Sequence, residues 1–380
     1  MFTFFHASAA VYALNNGLGR LPGLGWNSDY CTNCTKSANG FQNEAFIEHI
    51  ADALVSMGFQ SLGFRYVNLD ASWDLPERDA NGDLVPDPAL WPSGIDHTIE
   101  YVHSLGLGFG LYGDKGDKDC AQDPGQLGHE AQDSAFFAKH KVDWFKEDSC
   151  NSGGNESVQI AAYAKMRDAL NATGYPIWFA LCGWKTFYAT GSGAGKLLGN
   201  SFRVGPDTGS GWNAVMENVA AGLTVAAATQ ADGSGPVGPG RSAAGGAWSD
   251  GSLLLTPGYS NGKLPPDDPH FMTNARSRSM FSLWCTLGFN LLLTGNLTAL
   301  NPFVIETWSN AEAIAINQDA LGYPIIRLSP NGSACFFRDR DGACAGVRAH
   351  SLSAAPIDAR PAVGEFSFVP LHYTRILLTV

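Results

Sequence analysis

Short apolar segments alternate with amphipathic segments along the chain up to about residue 320. The segment 43–57 places Phe46, Ile47, Ile50 and Leu54 at the spacing of one helix face, and therefore predicts a helix. By the same criterion we predict helices over 94–105, 132–141, 158–170, 212–223 and 275–287, a short helix near Thr186, and a last one that ends at Asn317.

The apolar runs between these helices are typical of buried strands. The predicted strands cover 24–26, 66–70, 108–112, 142–146, 176–181, 201–204, 248–255 and 290–293. Successive strand–helix units of this kind predict an α/β protein with a (β/α)8 TIM barrel over 14–322. An open doubly wound sheet is the alternative, but no glycine-rich phosphate motif begins the first helix.

Beyond Gly322 the pattern changes to short strand-like segments separated by turns, over 324–328, 334–337, 345–349 and 375–380. These segments predict a small antiparallel C-terminal β-domain of sandwich type over 323–380. The chain ends within a strand-like segment, so the sequence leaves open whether this domain is complete. At the other end, residues 1–13 are apolar and finish in Val11-Tyr12-Ala13, which is the pattern of a signal-peptide remnant.

Composition and charge narrow the classes of function. The chain has 380 residues, of which 45% are hydrophobic and 16% charged, and these values are typical of a globular protein rather than a disordered one. The formal net charge of -12 would repel a polyphosphate, so nucleic acid is not an expected partner. No apolar run reaches the ~20 residues that a membrane-spanning helix needs, so no membrane insertion is expected.

Cysteines and glycosylation acceptors bear on the compartment. Cys31 and Cys34 have the spacing of a redox or zinc motif, but no second pair among the eight cysteines has metal-ligand spacing. Structural disulfides are the simpler interpretation, and they indicate an oxidising compartment. Five Asn-X-Ser/Thr acceptors point the same way, so we expect a secreted or lysosomal/vacuolar glycoprotein. The acceptors are Asn33, Asn155, Asn171, Asn296 and Asn331.

Acidic and aromatic residues recur where the predicted strands end, and in a TIM barrel this is the catalytic face. The residues at these ends include Trp26, Asp70, Tyr112, Asp114, Lys146, Asp148, Trp184, Arg203, Asp207 and Asp250. Carboxylates gathered at one mouth serve either a hard cation or glycosidic bond cleavage. No cation-binding loop stands out, whereas aromatic side chains suit the apolar faces of a sugar. The pattern therefore favours glycosidase chemistry without a metal or cofactor.

Several of these residues lie within longer motifs. The motifs are 15–28 (NNGLGRLPGLGWNS), 66–73 (YVNLDASW), 110–114 (GLYGD), 146–150 (KEDSC), the Arg-x-x-x-Asp segment 203–207, and 313–322 (AIAINQDALG). Together and in this order they resemble the motifs of glycoside hydrolase family 27, the melibiase-like α-galactosidases and α-N-acetylgalactosaminidases, over about residues 14–325. The resemblance implies a barrel with a C-terminal β-domain and retaining hydrolysis that releases terminal α-linked galactose by double displacement, without a metal.

The resemblance also assigns roles by position. Asp148 is the implied nucleophile and Asp207 the implied acid/base, while Cys120 and Cys150 fall where the family forms a disulfide. The residues expected to bind the sugar are Trp26, Asp70, Tyr112, Lys146, Trp184, Arg203 and Asp250. The implied partner is a carbohydrate with a terminal α-galactosyl residue, and a homodimer is left open.

Strand alternation supports the assignment on independent grounds. Lys146 and Asp148 are two residues apart on one strand, so both side chains point to the same side, and Glu147 points to the other. The ammonium group of Lys146 is expected to keep Asp148 ionised, as a nucleophile must be. Asp207 is expected to have a raised pKa, because it must protonate the leaving oxygen.

Departures from the family pattern concern the residues that read the sugar. Ala71 replaces the second of two aspartates, Ser72 replaces a cysteine, and Asp29 replaces a tryptophan. Gly183 and Ser252 also lack the polar or acidic side chains that are usual there. Two alternatives therefore stay open: the same mechanism acting on α-N-acetylgalactosamine or β-L-arabinopyranose, and a catalytically weak glycan-binding protein.

Overall fold

The computed structural model describes residues 16–30, 42–188, 194–231, 247–259 and 264–320, together with four two-residue strands beyond them. Within these ranges, eight parallel strands form one curled sheet in the order β7-β6-β5-β4-β3-β2-β1-β8. The strands are β1 Leu24–Asn27, β2 Tyr66–Asn68, β3 Gly108–Asp114, β4 Trp144–Asp148, β5 Trp178–Leu181, β6 Ser201–Arg203, β7 Trp248–Asp250 and β8 Leu291–Leu293.

The two edge strands of this sheet approach each other. The amide of Leu254, four residues beyond β7, donates a hydrogen bond of 2.9 Å to the carbonyl oxygen of Leu292 in β8. The hydroxyl of Thr294 donates to the Leu254 carbonyl oxygen at 2.7 Å. The eight strands and their curl are consistent with the predicted (β/α)8 barrel.

Helices connect the strands in the predicted rhythm. They are α1 Glu44–Ser56, α2 Ile95–Ser104, α3 Glu130–Lys139, α4 Glu156–Ala172, α5 Gly195–Leu198, α6 Trp212–Ala231, α7 Asn274–Leu287, α8 Pro302–Trp308 and α9 Ala311–Asn317. Side-chain caps fix several of the starts: Asn43 accepts from the amide of Phe46, and Asn155 from the amide of Val158. In the part of the chain that the structure describes, none of the helices is long and apolar enough for a membrane span.

The aromatic core explains the direction of the β4 side chains. Trp144 stacks on Trp178 of β5 with ring centroids 4.6 Å apart, inside the curl of the sheet. Phe145 points the opposite way, towards Phe137 of α3 at 4.5 Å. Alternation then carries residue 146 to the inner side, 147 to the helix side and 148 to the inner side.

Several element boundaries differ from the sequence predictions. The strand predicted over 142–146 is β4 Trp144–Asp148, because the amide of Val142 still bonds to Phe137 of the preceding helix. The strand predicted over 248–255 ends at Asp250, because Ser252 adopts a left-handed φ of 76°. The helix near Thr186 is a single 3-10 turn, and α8 lies where no helix was predicted.

Beyond Ala320 the described residues form two antiparallel pairs, Ser333–Ala334 with Ala349–His350, and Glu365–Phe366 with Leu378–Thr379. The rest of the predicted C-terminal domain lies outside the described residues, as do the 1–13 segment and the cysteines at 31, 34, 335 and 344.

Candidate active site

Lys146 and Asp148 meet at the carboxyl end of β4. Lys146 Nζ lies 3.8 Å from Asp148 Oδ2 and 2.8 Å from Asp70 Oδ2, so one ammonium group bridges two carboxylates. The backbone amide of Ser149 donates to Asp148 Oδ1 at 2.9 Å. The side chains of Lys146 and Asp148 are mostly buried, so solvent screens the attraction between their charges only weakly.

Tyr112 completes this side of the site. Its hydroxyl donates to Asp148 Oδ2 at 3.2 Å and lies 2.9 Å from Cys120 Sγ, while Lys146 Nζ is 4.8 Å from its ring centroid. Burial, followed by the charge of Asp148, raises the pKa of Tyr112, so the phenol stays protonated. The predicted disulfide between Cys120 and Cys150 is confirmed, with the two Cα atoms 5.2 Å apart.

Asp114 anchors the loops that carry the disulfide. Its Oδ2 accepts a 2.6 Å hydrogen bond from the amide of Cys150, and its Oδ1 accepts one of 2.7 Å from the amide of Gly116. Burial raises the pKa of Asp114 to about 6. A buried carboxyl thus holds the segment after the candidate nucleophile in place.

Arg203 and Asp207 form the other half of the site. Arg203 Nη2 donates to Asp207 Oδ1 at 2.8 Å, and Nη1 lies 3.5 Å from the thiol of Cys182. The Cys182 side chain also lowers the pKa of Asp148, so it acts on both halves of the site. The Asp207 side chain is 51% exposed, whereas that of Asp148 is 8% exposed. One acid is therefore accessible to a leaving group and the other is enclosed.

The electrostatics contradict the expected pKa of Asp207. Burial alone would raise that pKa, but Arg203 and then Lys146 lower it below its ordinary value. The prediction of a raised pKa is therefore wrong for this arrangement, because it ignored the direct ion pair with Arg203. Burial raises the pKa of Asp148, and the charge of Lys146 opposes that rise, as expected.

Glu147 lies on the helix side of β4, as alternation predicts. Its charged neighbours include Asp114 at the end of β3, Lys115 in the loop after β3, and Glu130 and Asp133 of α3. Burial raises the pKa of Glu147 well above its ordinary value, and burial lowers that of Lys115 to about 8. Its side chain faces away from the bridge made by Lys146.

Three of the predicted sugar-binding residues are wholly or partly buried. Trp26 is 0% exposed, its indole N–H donates to the Gly295 carbonyl oxygen at 2.8 Å, and it therefore belongs to the core rather than to the pocket surface. Asp250 is also buried, and its Oδ1 accepts from the amide of Ser252 at 2.6 Å, beside Arg203 on the neighbouring strand. Trp184 is partly buried with a left-handed φ of 52°.

Sequence reasoning did not assign a role to Asp29, Tyr30 or Tyr259, yet all three face the site. Burial raises the pKa of Asp29 to about 7, and the negative charges of Asp70 and Asp207 act in the same direction. The rings of Tyr30 and Tyr259 pack with centroids 5.1 Å apart. The only available signal was that Asp29 follows β1 by two residues, whereas the tyrosines come together only in the fold.

Potential metal ligands in the described ranges do not build an obvious metal centre here. Asp114 and Asp148 come close to the sulfur atoms of Cys120 and Cys150, but both sulfurs are used in the disulfide. A second group, formed by Glu44, Glu48 and His97, lies on helices α1 and α2 away from this site.

A curled parallel sheet with two aspartates, a lysine and an arginine at the carboxyl ends of its strands defines a candidate glycoside hydrolase. The family model described as Alpha galactosidase A (Melibiase_2) matches residues 20–319, and the chain belongs to this family.

Similar proteins agree with this placement. The chain is 37% identical over 323 residues to "Alpha-galactosidase 3" of Arabidopsis thaliana, and the aligned region covers 84% of this chain and 65% of that relative. It is 36% identical to an α-galactosidase of Cyamopsis tetragonoloba, and here the aligned region covers 83% of this chain and 69% of the relative. The chain thus spans about two thirds of the length of these curated relatives.

A solved structure of an α-galactosidase is also similar to this chain. The α-galactosidase of Saccharomyces cerevisiae with raffinose superposes with a TM-score of 0.68 at 26% identity, covering 83% of this chain and 68% of that one.

Proposed function

We propose that the protein is a retaining α-galactosidase, with Asp148 as nucleophile and Asp207 as acid/base. The observation that carries the proposal is the pairing of two acids with two different cations at the carboxyl ends of β4 and β6, Lys146 with Asp148 and Arg203 with Asp207. The named activity of the relatives supports the choice of galactose.

The first step would transfer the galactosyl group to the enzyme. Asp148 attacks the anomeric carbon from the side opposite to the leaving group, and Asp207 gives its proton to the departing oxygen. Because Arg203 holds Asp207 ionised, the substrate has to draw the guanidinium away before Asp207 can carry a proton. A sugar hydroxyl that accepts a hydrogen bond from Arg203 would do this.

The second step would release galactose. Asp207, now ionised, accepts a proton from water, and the water oxygen attacks the anomeric carbon as the bond to Asp148 breaks. Two inversions return the α configuration. Tyr112 donates to Asp148 Oδ2 and would stabilise the carboxylate as it leaves.

We further propose a closed (β/α)8 barrel over 14–322, followed by an antiparallel β-domain over 323–380. The hydrogen bond between Leu254 and Leu292 supports closure, and the two antiparallel strand pairs support the second domain. A secreted or lysosomal/vacuolar location is proposed as well, because Cys120 and Cys150 are bonded.

The test of the function is a panel of 4-nitrophenyl glycosides. The α-galactoside should be hydrolysed with a higher kcat/KM than the α-N-acetylgalactosaminide or the β-L-arabinopyranoside. Asp148→Asn should lose most of this activity, and Asp207→Asn should lose most of its kcat because the second step then lacks a base, while Glu147→Gln, on the helix side of β4, should retain the activity. Preference for another sugar would redirect the specificity, and no turnover of any glycoside would favour a glycan-binding protein.

A further inference from the structure

The backbone leaves the sheet directly before Asp70. β2 ends at Asn68, and the amide of Leu69 still bonds to the carbonyl oxygen of Gly110 in β3 at 2.9 Å. Residues 70 and 71 lie in the loop that follows. Because buried peptide groups need hydrogen-bond partners, those of Asp70 depend on groups outside the strand ladder.

Ser28 and Gln42 provide these partners. The amide of Asp70 donates to Ser28 Oγ at 2.8 Å, and Ser28 Oγ donates to Gln42 Oε1 at 2.8 Å. Gln42 Nε2 in turn donates to the carbonyl oxygen of Asp70 at 3.0 Å, and also to that of Ala71. The two side chains therefore hold the N–H and the C=O of Asp70 at the same time. Ser28 is 3% and Gln42 5% exposed, so the contacts are shielded from solvent.

The carboxylate of Asp70 transmits this fixed position to the proposed nucleophile. Its Oδ1 accepts from the amide of Ala71 at 3.1 Å, and its Oδ2 accepts from Lys146 Nζ at 2.8 Å. Lys146 Nζ also lies 3.8 Å from Asp148 Oδ2. Because an aspartate side chain is short, the place of its backbone largely determines where its carboxylate, and hence the ammonium group, can lie.

We propose that Gln42 and Ser28 are positioning residues of the hydrolytic site. They fix the backbone of Asp70, so that its carboxylate holds Lys146 between itself and Asp148. The inference rests on the proposed α-galactosidase function and deepens it. Neither residue contacts the reacting atoms, and both act through Asp70.

A role in positioning differs from a purely structural role in its effect on the charge around Asp148. Lys146 lowers the pKa of Asp148, and the negative charge of Asp70 raises it. If the carboxylate of Asp70 is released, its effect weakens and the ammonium group keeps Asp148 as a partner, so the pKa of Asp148 should fall. The other groups that face Asp148 are unaffected: the hydroxyl of Tyr112, the amide of Ser149 and the side chain of Cys182.

The first experiment uses Gln42→Met, which has a similar length and lacks the amide group. Its kcat/KM for 4-nitrophenyl α-galactoside should fall by about tenfold, because Asp70 and Lys146 lose their fixed positions. The acidic limb of kcat/KM should move to lower pH by about 0.5 to 1 unit. Rates are measured across the pH range, and a urea titration shows that the variant is folded under the assay conditions.

Ser28→Ala tests the same role with a smaller change and decides the question if Gln42→Met does not fold. It should move the acidic limb in the same direction. Because both residues act through Asp70, the double variant should lose less activity than the product of the two single losses.

Gln318→Met is the matched control. Gln318 Nε2 donates to the carbonyl oxygen of Pro22 at 3.0 Å, just before β1 and therefore at the opposite end of the sheet from the site. The substitution removes the same kind of contact between a side-chain amide and a backbone carbonyl. Its acidic limb should coincide with that of the wild type, whatever its effect on stability.

Each outcome decides between the roles. An acidic limb that stays in place or moves to higher pH in Gln42→Met and Ser28→Ala, in an active enzyme, would make the two residues structural only and overturn the inference. Losses that multiply fully in the double variant would also overturn it, because the residues would then act separately. If the wild type hydrolyses no glycoside, the proposed function fails and this role fails with it.

Discussion

At the scale of single residues, the site depends on how two cations are shared among several acids. Lys146 contacts both Asp70 and Asp148, whereas Arg203 contacts Asp207 directly. Burial alone would raise the pKa of both Asp148 and Asp207, so the neighbouring cations decide which of the two stays ionised. The closer pairing at Asp207 explains why its pKa falls while that of Asp148 rises.

Removing the Lys146 charge should therefore shift the acidic limb of activity. In Lys146→Met, burial of Asp148 is no longer opposed, so its pKa rises further and the ionised nucleophile appears only at higher pH. We expect the acidic limb of kcat/KM to move up by about one to three pH units. Lys165→Met, which removes an exposed lysine paired with the buried Glu130 of α3, is the control and should not move it. An unchanged limb would contradict the pairing.

At the scale of elements, strand alternation and the order of strand ends made much of the site predictable. The register of β4 separates Lys146 and Asp148 from Glu147, and that separation follows from the two-residue period alone. The ion pair of Arg203 with Asp207 depends on how the loop after β6 folds back, and no periodicity reports that. The burial of Trp26 was equally invisible, because a tryptophan at a strand end can face either the core or the pocket.

The disulfide joins the loop after β3 to the end of β4. Replacing Cys120 and Cys150 by serine should lower the free energy of unfolding by about 3 to 4 kcal/mol, because the bond closes a loop with a sequence separation of 30 residues. Urea titration under non-reducing conditions measures this difference. Reduced wild-type protein should approach the stability of the variant, and equal stability of oxidised wild type and variant would contradict the expectation.

At the scale of the whole molecule, buried acids with raised pKa values make stability depend on pH. Burial raises the pKa of Asp29 to about 7 and those of Asp114 and Asp119 to about 6, from 3.8. The folded state then binds more protons than the unfolded chain between these values, so stability falls as pH rises through that window. Asp207 acts in the opposite sense, and its contribution is lost at pH values below its ordinary pKa.

Thermal unfolding should therefore show its highest Tm in mildly acidic buffer, between about pH 4 and 6, and a lower Tm by pH 7.5. Asp29→Asn should make Tm fall less steeply with pH, because an amide, unlike the buried carboxyl, does not ionise as the pH rises. A circular dichroism melt across pH 4 to 8 measures both curves. A Tm that rises steadily from pH 5 to 7.5 would contradict the shifts.

The most direct test of the assignment of Asp148 is covalent trapping. A 5-fluoro α-galactosyl fluoride should form a slowly hydrolysed galactosyl–enzyme, and peptide mapping by mass spectrometry locates the bound sugar. We predict one label per chain, on the carboxylate of Asp148, and no label in Asp148→Asn. A label on Glu147 would mean that the two faces of β4 are exchanged, and turnover of the reagent without any labelled peptide would contradict a covalent mechanism.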